Sequence, residues 1–210
     1  MECELRPTAL QRQQMLSLPL DKQLIVAVKC ISLPYAIAMR AHHGAARALD
    51  DPLQECRVAR LLANSEGGHA NVVRSYFHFH QHDCLYLVAE YCVHGDLNTH
   101  LTTSTPSGSM DECTSVHFMR QILMGVDFLH RQLGIAHRDL SLGVMWFILL
   151  TGSPLVSVAS RQNKAFVALE ECGVAAVFES WKFTDRLSTA IVQLISQMLT
   201  VSPDQRMSLH

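Results

Sequence analysis

The pattern of apolar and polar positions divides the chain into a first part that favours strands and a second part that favours helices. Residues 23–31 form a run rich in β-branched side chains, and residues 72–79 and 85–91 form two further short segments, separated by the polar residues 81–83. Runs of this length and composition predict β-strands. The first part of the chain is therefore predicted to contribute a small sheet.

Two helices are predicted between the first strand and the second. Residues 34–50 are rich in alanine, which permits a helix. Asp51-Pro52 predicts the start of another helix, because proline is favoured in a first helical turn, and apolar residues then recur at helical spacing as far as Leu62. The sequence Ser-Glu-Gly-Gly at residues 65–68 predicts its end.

Helical patterns dominate the second part. Ser109 and Glu112 have the spacing of a capping box, which predicts a long helix over residues 110–132. The apolar run Leu142–Leu150 predicts a buried helix, and Ser188 is the predicted cap of a final amphipathic helix. The predicted core face of the long helix consists of Val116, Met119, Leu123, Val126 and Leu129.

Strands precede helices along the chain, and this order is typical of an α+β fold. We therefore expect a small sheet lobe and a larger helical lobe. Three stretches interrupt the helical part and are predicted as a loop, a short strand and a less regular segment: residues 102–109, 135–136 and 155–185.

Composition narrows the class of protein. With 210 residues, 49% apolar and 17% charged, the chain is long enough for a core and is not of the disordered class. The net charge of −2 gives no basic excess for nucleic acid, and no apolar run approaches the ~18 residues of a membrane span. Met1 is followed by Glu-Cys-Glu, so no signal peptide is expected, and the seven cysteines form no C-x-x-C pair. We therefore expect reduced thiols and a cytoplasmic protein without nucleic-acid or membrane partners.

Five regions carry residue patterns in a fixed order. Residues 26–29 read V-A-V-K, residues 87–97 read L-V-A-E-Y-C-V-H-G-D-L, and residues 137–140 read H-R-D-L. Residues 143–152 then read G-V-M-W-F-I-L-L-T-G, and residues 194–206 contain the pattern L-x-x-x-M-L-x-x-x-P-x-x-R. In this order the regions resemble the phosphate-binding strand, hinge, catalytic loop and two later helices of the eukaryotic protein kinase family.

The resemblance covers roughly residues 22–209 and implies a two-lobed kinase fold from which pieces are missing. It implies a weakly patterned segment at 1–21, an N-lobe with the hinge at 22–92 and a C-lobe at 93–210. The Ser/Thr branch fits better than the tyrosine branch, because tyrosine kinases usually continue H-R-D-L with Ala and Arg.

The resemblance assigns ATP-binding residues to the strand-rich part. Lys29 would hold the α- and β-phosphates, and its partner would be Glu55, the only acid between Pro52 and Asn64. Without the neighbouring motifs, Lys29 and Glu55 would read as ordinary solvated charges. Ala27, two residues before the lysine, belongs to the same predicted ATP site.

The hinge and the catalytic loop supply the remaining predicted site residues. The Glu90 carbonyl and the Cys92 amide would face adenine, and Asp96 would lie near the ribose. The resemblance makes Asp139 the base that accepts the substrate hydroxyl proton. Arg138 would pair with a phosphate on the activation loop, and His137 would be mainly structural.

Several family elements are missing. Val144 stands where H-R-D-L-x-x-x-N requires Asn, and D-F-G and A-P-E occur nowhere. No glycine precedes Gly44, so the glycine-rich loop is also missing. Leu140-Ser-Leu142 fits both the catalytic loop and the start of a later helix, which indicates an internal deletion near 142–143. Arg206 lacks the A-P-E glutamate as partner and is expected to turn to solvent or to find another acid.

The predicted function is therefore a protein kinase domain whose family activity is ATP-dependent phosphorylation of protein Ser or Thr, catalytically impaired in this chain. The expected cofactor is ATP, and the expected partner is a protein. The family's Mg²⁺ ligands are missing, and no metal-binding residues are assigned. Two alternatives stay open: a pseudokinase that serves as a binding module or scaffold, and a non-functional splice or gene-model fragment.

Alternating histidines offer one other chemistry. Residues 77–82 read F-H-F-H-Q-H, which on a strand would place three histidines on one face. Three such side chains could in principle bind zinc. A solvated outer strand face explains the same pattern and is the preferred interpretation.

Overall fold

The computed structural model describes residues 25–43, 51–65, 67–105, 107–156 and 160–200, together with 202, 204 and 206. It divides into two compact units. Unit 1 comprises Met1–Val93 and Asp127–Ile135, and unit 2 comprises His94–Val126 and Ala136–His210.

Unit 1 contains an antiparallel sheet of three strands within the described residues: β1 (Val26–Ser32), β2 (Ser75–Gln81) and β3 (Cys84–Glu90). The strand order is β1-β3-β2, so β3 is paired on both sides. Its central position explains why Leu85 and Val88 are almost fully buried, with 1% and 2% exposure. The three longer predicted strands are confirmed, although β2 begins three residues later than predicted and residues 23–24 of the first predicted strand lie outside the described residues.

The β2–β3 pairing contains a β-bulge. Ser75 lies opposite Ala89, and Phe77 lies opposite Val88, so Tyr76 is an extra residue on β2. Beyond the bulge the pairing is regular, and the Phe79 ring stacks on Tyr86 with the centroids 4.8 Å apart.

Two helices and one irregular helical turn complete unit 1. Helix α1 spans Leu33–His43, within the alanine-rich segment, whose residues 44–50 lie outside the described residues. Helix α2 spans Pro52–Asn64, as the Asp51-Pro52 start predicted. Helix α2 packs against β2. The π-helical segment Phe128–Gln132 also belongs to this unit, and the Phe128 ring stacks on His69 at a centroid distance of 5.0 Å.

Unit 2 is helical. Its elements are α3 (Leu97–Ser104), α4 (Glu112–Asp127, whose last residue falls in unit 1), α5 (Leu142–Thr151), α6 (Lys164–Ser180) and α7 (Thr189–Met198).

Helix α5 lies at the centre of the core of unit 2. Phe147 is fully buried, and its ring lies 5.1 Å from that of Phe178. The indole N–H of Trp146 donates to Ser115 Oγ at 3.2 Å, which satisfies two polar groups inside this core. The predicted buried helix over 142–150 is therefore confirmed. So is the cap of α7, where Ser188 Oγ accepts from the Ile191 N–H at 3.3 Å.

The start of the long helix differs from the prediction. Ser109 is buried beside Ser107 and does not cap the helix. The Asp111 carboxylate caps it instead, accepting from Thr114 N–H at 2.9 Å. Glu112 does not close a capping box, because its carboxylate binds Ser188, 76 residues further along the chain.

Other local predictions are wrong for identifiable reasons. Val116 is 41% exposed, so the core face of α4 is narrower than its apolar periodicity indicated. The helix predicted to reach residue 132 changes at Phe128 to π-helical bonding. Residues 102–104, which were predicted as part of a loop because of their composition, belong to helix α3. The N-cap Asp96 stabilises the start of that helix. Residues 135–136, predicted as a short strand, have no strand partner. The segment 155–185, predicted as less regular, contains helix α6, which is broken at Gly173 (φ 75°).

Candidate functional site

Lys29 and Glu55 meet in unit 1. Lys29 lies on β1 opposite Leu87, and Glu55 lies in the first turn of α2. Lys29 Nζ is 2.7 Å from Glu55 Oε1 and 2.9 Å from Oε2. The two side chains are 62% and 40% exposed, and ion pairs at such exposure contribute only ~0–1 kcal/mol to stability. The pair therefore fixes the direction of the lysine more than it stabilises the fold.

Ala27 and Glu90 lie on the two paired strands β1 and β3. Ala27 shares a face of β1 with Lys29 and is opposite Ala89, while Glu90 at the end of β3 is opposite Val26. The Glu90 N–H donates to the Arg74 carbonyl at 2.8 Å, and its carboxylate accepts from the Arg74 N–H at 3.3 Å. Sequence reasoning missed this role of Arg74, since only the strand register places it beside Glu90.

Cys92 follows two residues after β3 and is exposed. The described β1–β3 pairing ends at Glu90, so the backbone of Cys92 is not part of it. The backbone role assigned to it stays a prediction.

Asp96 lies in unit 2 as the N-cap of α3. Its carboxylate accepts hydrogen bonds from the Thr99 N–H and from Thr99 Oγ1, both at 2.8 Å. These bonds lower the pKa of Asp96 below its usual value, because they stabilise the charged form. The ionised carboxylate is thus already used in helix capping, a role that its sequence context did not indicate.

His137, Arg138 and Asp139 lie together in an irregular segment of unit 2, and all three are exposed. Arg138 has φ 66°, a left-handed conformation that is uncommon for residues other than glycine. Helix α5 begins at Leu142, so only Leu140 and Ser141 separate Asp139 from a core helix. Val144 lies in the first turn of that helix and not in a loop.

The residues at the expected magnesium position do not fit a metal. Mg²⁺ is bound through oxygen ligands, and the side chain of Val144 offers none. Within the described ranges, no three His, Cys, Asp or Glu side chains cluster closely enough to hold a metal ion. Of the alternating histidines, His78 and His80 lie on β2, whereas His82 lies in the turn after it with φ 52°.

Arg206 is exposed, and its Nε donates to the Thr200 carbonyl at 3.1 Å. Exposure to solvent was one of the two outcomes expected for Arg206; contact with another acid was the other. In the part of the chain that the structure describes, no helix combines the length and apolar character needed to cross a bilayer.

Comparison with known proteins adds independent findings. A family model described as the protein kinase domain matches residues 17–140, more than half of the chain. The probable serine/threonine-protein kinase zyg-1 of Caenorhabditis briggsae is 37% identical over 90 residues, 43% of this chain and 11% of that protein. The serine/threonine-protein kinase PLK4 of Xenopus tropicalis is 38% identical over 74 residues, 35% of this chain and 8% of that protein. The chain thus matches only a small part of each of these relatives.

A solved structure described as Rad53 1–466 in complex with AMP-PNP has a TM-score of 0.63 and 19% identity, covering 87% of this chain and 55% of that one. At this identity the likeness concerns the fold alone. It confirms the predicted α+β fold, with a strand-containing first unit and a helical second one. The family match ends at Leu140, two residues before α5 begins.

Proposed function

The chain belongs to the protein kinase family, and on that premise we propose that it is a Ser/Thr-type kinase domain that binds ATP weakly and does not transfer phosphate. One observation carries this proposal: α5 begins three residues after Asp139. The sequence therefore passes from the catalytic loop into a core helix, without residues for a magnesium loop or an activation segment.

The Lys29–Glu55 pair and the adjoining strands of unit 1 support the proposal that the chain still binds nucleotide. Lys29 is held by Glu55 at 2.7 Å, in the pairing that the family uses to direct the lysine at phosphates. Ala27 and Glu90 lie on adjoining strands, where they would contact adenine together with the Cys92 backbone. We therefore assign the ATP-binding role to this sheet, with Asp96 as the predicted ribose contact.

Loss of transfer follows from the charges of the reaction. The transferred phosphoryl group carries negative charge that metal ions neutralise in kinases. The D-F-G Asp is missing, and Val144 cannot replace the catalytic-loop Asn as a metal ligand. Removing one well-placed electrostatic group costs about 10²–10³ in rate, so Asp139 alone would give little catalysis.

The decisive experiment is a labelled-phosphate transfer assay with ATP, magnesium and a generic protein substrate. We expect no transfer by this chain and none by Lys29→Met or Asp139→Asn. A chimera carrying a kinase magnesium loop and activation segment between Ser141 and Leu142 is the matched gain-of-function control. Transfer by the unaltered chain that both substitutions abolish would overturn the proposal.

The binding-module and fragment alternatives are separated by the transcript. If only this form is transcribed, the pseudokinase module that engages a protein partner is favoured. Reading the transcript across the codons for Leu140–Gly143 tests the fragment alternative. A longer form that encodes D-F-G and A-P-E would identify this chain as a shortened product of a working kinase.

A further inference from the structure

Two thiols lie together on one face of the unit 1 sheet. In the β1–β3 register, Cys30 is opposite Tyr86, and Ser32 is opposite Cys84. Because residues two apart on a strand share a face, Cys30 and Cys84 are diagonal neighbours on the same face. Both cysteines are free, Cys30 is exposed and Cys84 is half-buried. The two side chains interact, and this interaction is the main cause that raises the pKa of the Cys84 thiol.

The spacing of diagonal neighbours permits a covalent link after a small movement. Such residues have Cα atoms about 7–8 Å apart with the Cβ atoms closer, whereas a disulfide usually spans about 4.4–6.8 Å between Cα atoms, so the backbone must move by about 1 Å or more before the bond can form. Strand β1 is an edge strand of the described sheet, and most of its residues are exposed. An edge strand can shift towards its neighbour more easily than a strand that is paired on both sides.

We propose that Cys30 and Cys84 form a reversible disulfide when the chain meets hydrogen peroxide. The exposed Cys30 thiolate attacks one peroxide oxygen, the O–O bond breaks, and Cys30 becomes a sulfenic acid with loss of hydroxide. Cys84 then attacks the sulfenic sulfur and expels its oxygen as water. In total, two thiols and one peroxide molecule give one disulfide and two water molecules.

The raised pKa of Cys84 agrees with this division of roles. A thiol that stays protonated is the slower one to react with peroxide, so the exposed Cys30 reacts first and Cys84 resolves. The link lies on the face of β1 opposite to Lys29, since Lys29 precedes Cys30 by one residue. Strained disulfides are also the more readily reduced, so glutathione should restore both thiols.

The test is peptide mapping of the full chain at low protein concentration, treated with hydrogen peroxide and then with N-ethylmaleimide. We expect a peptide pair joined through Cys30 and Cys84, lighter than the sum of its parts by two hydrogen atoms and absent after glutathione. The linked form should also melt several degrees higher, because the cross-link restricts the unfolded chain.

Variants assign the two roles. In Cys84→Ser we expect the link to be lost and Cys30 sulfenic acid to be trapped by dimedone. In Cys113→Ser, which removes an exposed cysteine of unit 2, the link should form as before. The mapping on the unaltered chain does not depend on the folding of any variant. The proposal is wrong if that chain gives no Cys30–Cys84 peptide, if Cys30 pairs elsewhere, or if isotope-mixed samples show that the link joins two chains.

Discussion

At the scale of single residues, the Lys29–Glu55 contact was predictable and most other contacts were not. Lys29 follows V-A-V in a strand pattern, and Glu55 is the only acidic residue on α2. The resemblance to kinases and the lack of another acid on α2 were therefore enough to predict the pair. The bonds from Ser188 to Glu112 join residues 76 positions apart, and no local pattern indicates them. Local signals encode strand and helix tendency, whereas side-chain partners depend on packing that only the folded chain defines.

Replacing Lys29 by Met should reduce nucleotide affinity without unfolding unit 1. We expect millimolar ATP binding at best for the unaltered chain, weakly dependent on magnesium, and a loss of about tenfold or more in Lys29→Met, since tenfold corresponds to about 1.4 kcal/mol. The exposed ion pair contributes only ~0–1 kcal/mol to stability, so the melting temperature should change little. Calorimetry measures both the ATP affinity and the melting temperature, with Lys164→Met as the matched control. Equal affinity of the two variants would contradict the assigned role.

His78 should make unit 1 less stable in mild acid. Burial first, and then the charges of Arg60 and His80, lower the pKa of His78. The unfolded chain therefore binds the proton at higher pH than the folded chain does. The stability that the neutral ring contributes is present above its unfolded pKa of about 6.5 and is lost as the pH falls through the folded value.

The measurement is urea unfolding of His78→Gln and of the unaltered chain at several pH values from neutral to mildly acidic. We expect a smaller loss of stability on acidification in His78→Gln. His94→Gln, which changes an exposed histidine, should behave like the unaltered chain. Parallel pH profiles for His78→Gln and the unaltered chain would contradict the prediction.

At the scale of elements, clear signals predicted helices that begin at a good cap or consist of one apolar run. Ser188 before α7 and the apolar residues of α5 are such signals. Helix α6 escaped prediction because Gly173 breaks it into two shorter segments, neither of which shows a long periodic face. Asp111, not Ser109, starts α4, since buried Ser109 is engaged by Ser107. The capping-box spacing of Ser109 and Glu112 gave no indication of either contact.

The Glu112–Ser188 link should couple α4 to α7. Ser188→Ala removes the cap of α7 and the hydroxyl that donates to Glu112 at 2.6 Å, and we expect a loss of about 1–2 kcal/mol in unfolding free energy. Glu112→Gln keeps the size of the side chain but removes its charge. A double-mutant cycle between these two changes should show a coupling energy of at least ~0.5 kcal/mol.

Ser196→Ala serves as the control for this cycle. Ser196 Oγ donates only to the carbonyl of Val192 within α7, so its change should be additive with Glu112→Gln. Additivity of Ser188→Ala and Glu112→Gln would show that the link contributes no energy beyond the separate side chains.

At the scale of the whole molecule, we expect a marginally stable domain that exposes apolar surface. Met124 and Trp181 of unit 2 are 49% and 41% exposed, and no residues are present to form an activation segment between Asp139 and α5. We therefore expect a broad thermal transition, binding of a hydrophobic dye below the melting temperature and a tendency to aggregate. The chimera with the restored segment is the comparison. A single sharp transition without dye binding would contradict this expectation.

The β-bulge at Tyr76 bears on how this strand tolerates changes in length. Ser75 and Phe77 lie opposite neighbouring residues of β3, so removing Tyr76 would leave every other β2–β3 pair in place. Removing His78 would instead shift the pairing on one side by one position and turn those side chains to the other face. We expect the Tyr76 deletion to fold with only modest loss of stability and the His78 deletion to unfold the sheet, as circular dichroism would show. Relatives of this chain can therefore differ in length at residue 76 while keeping the same sheet.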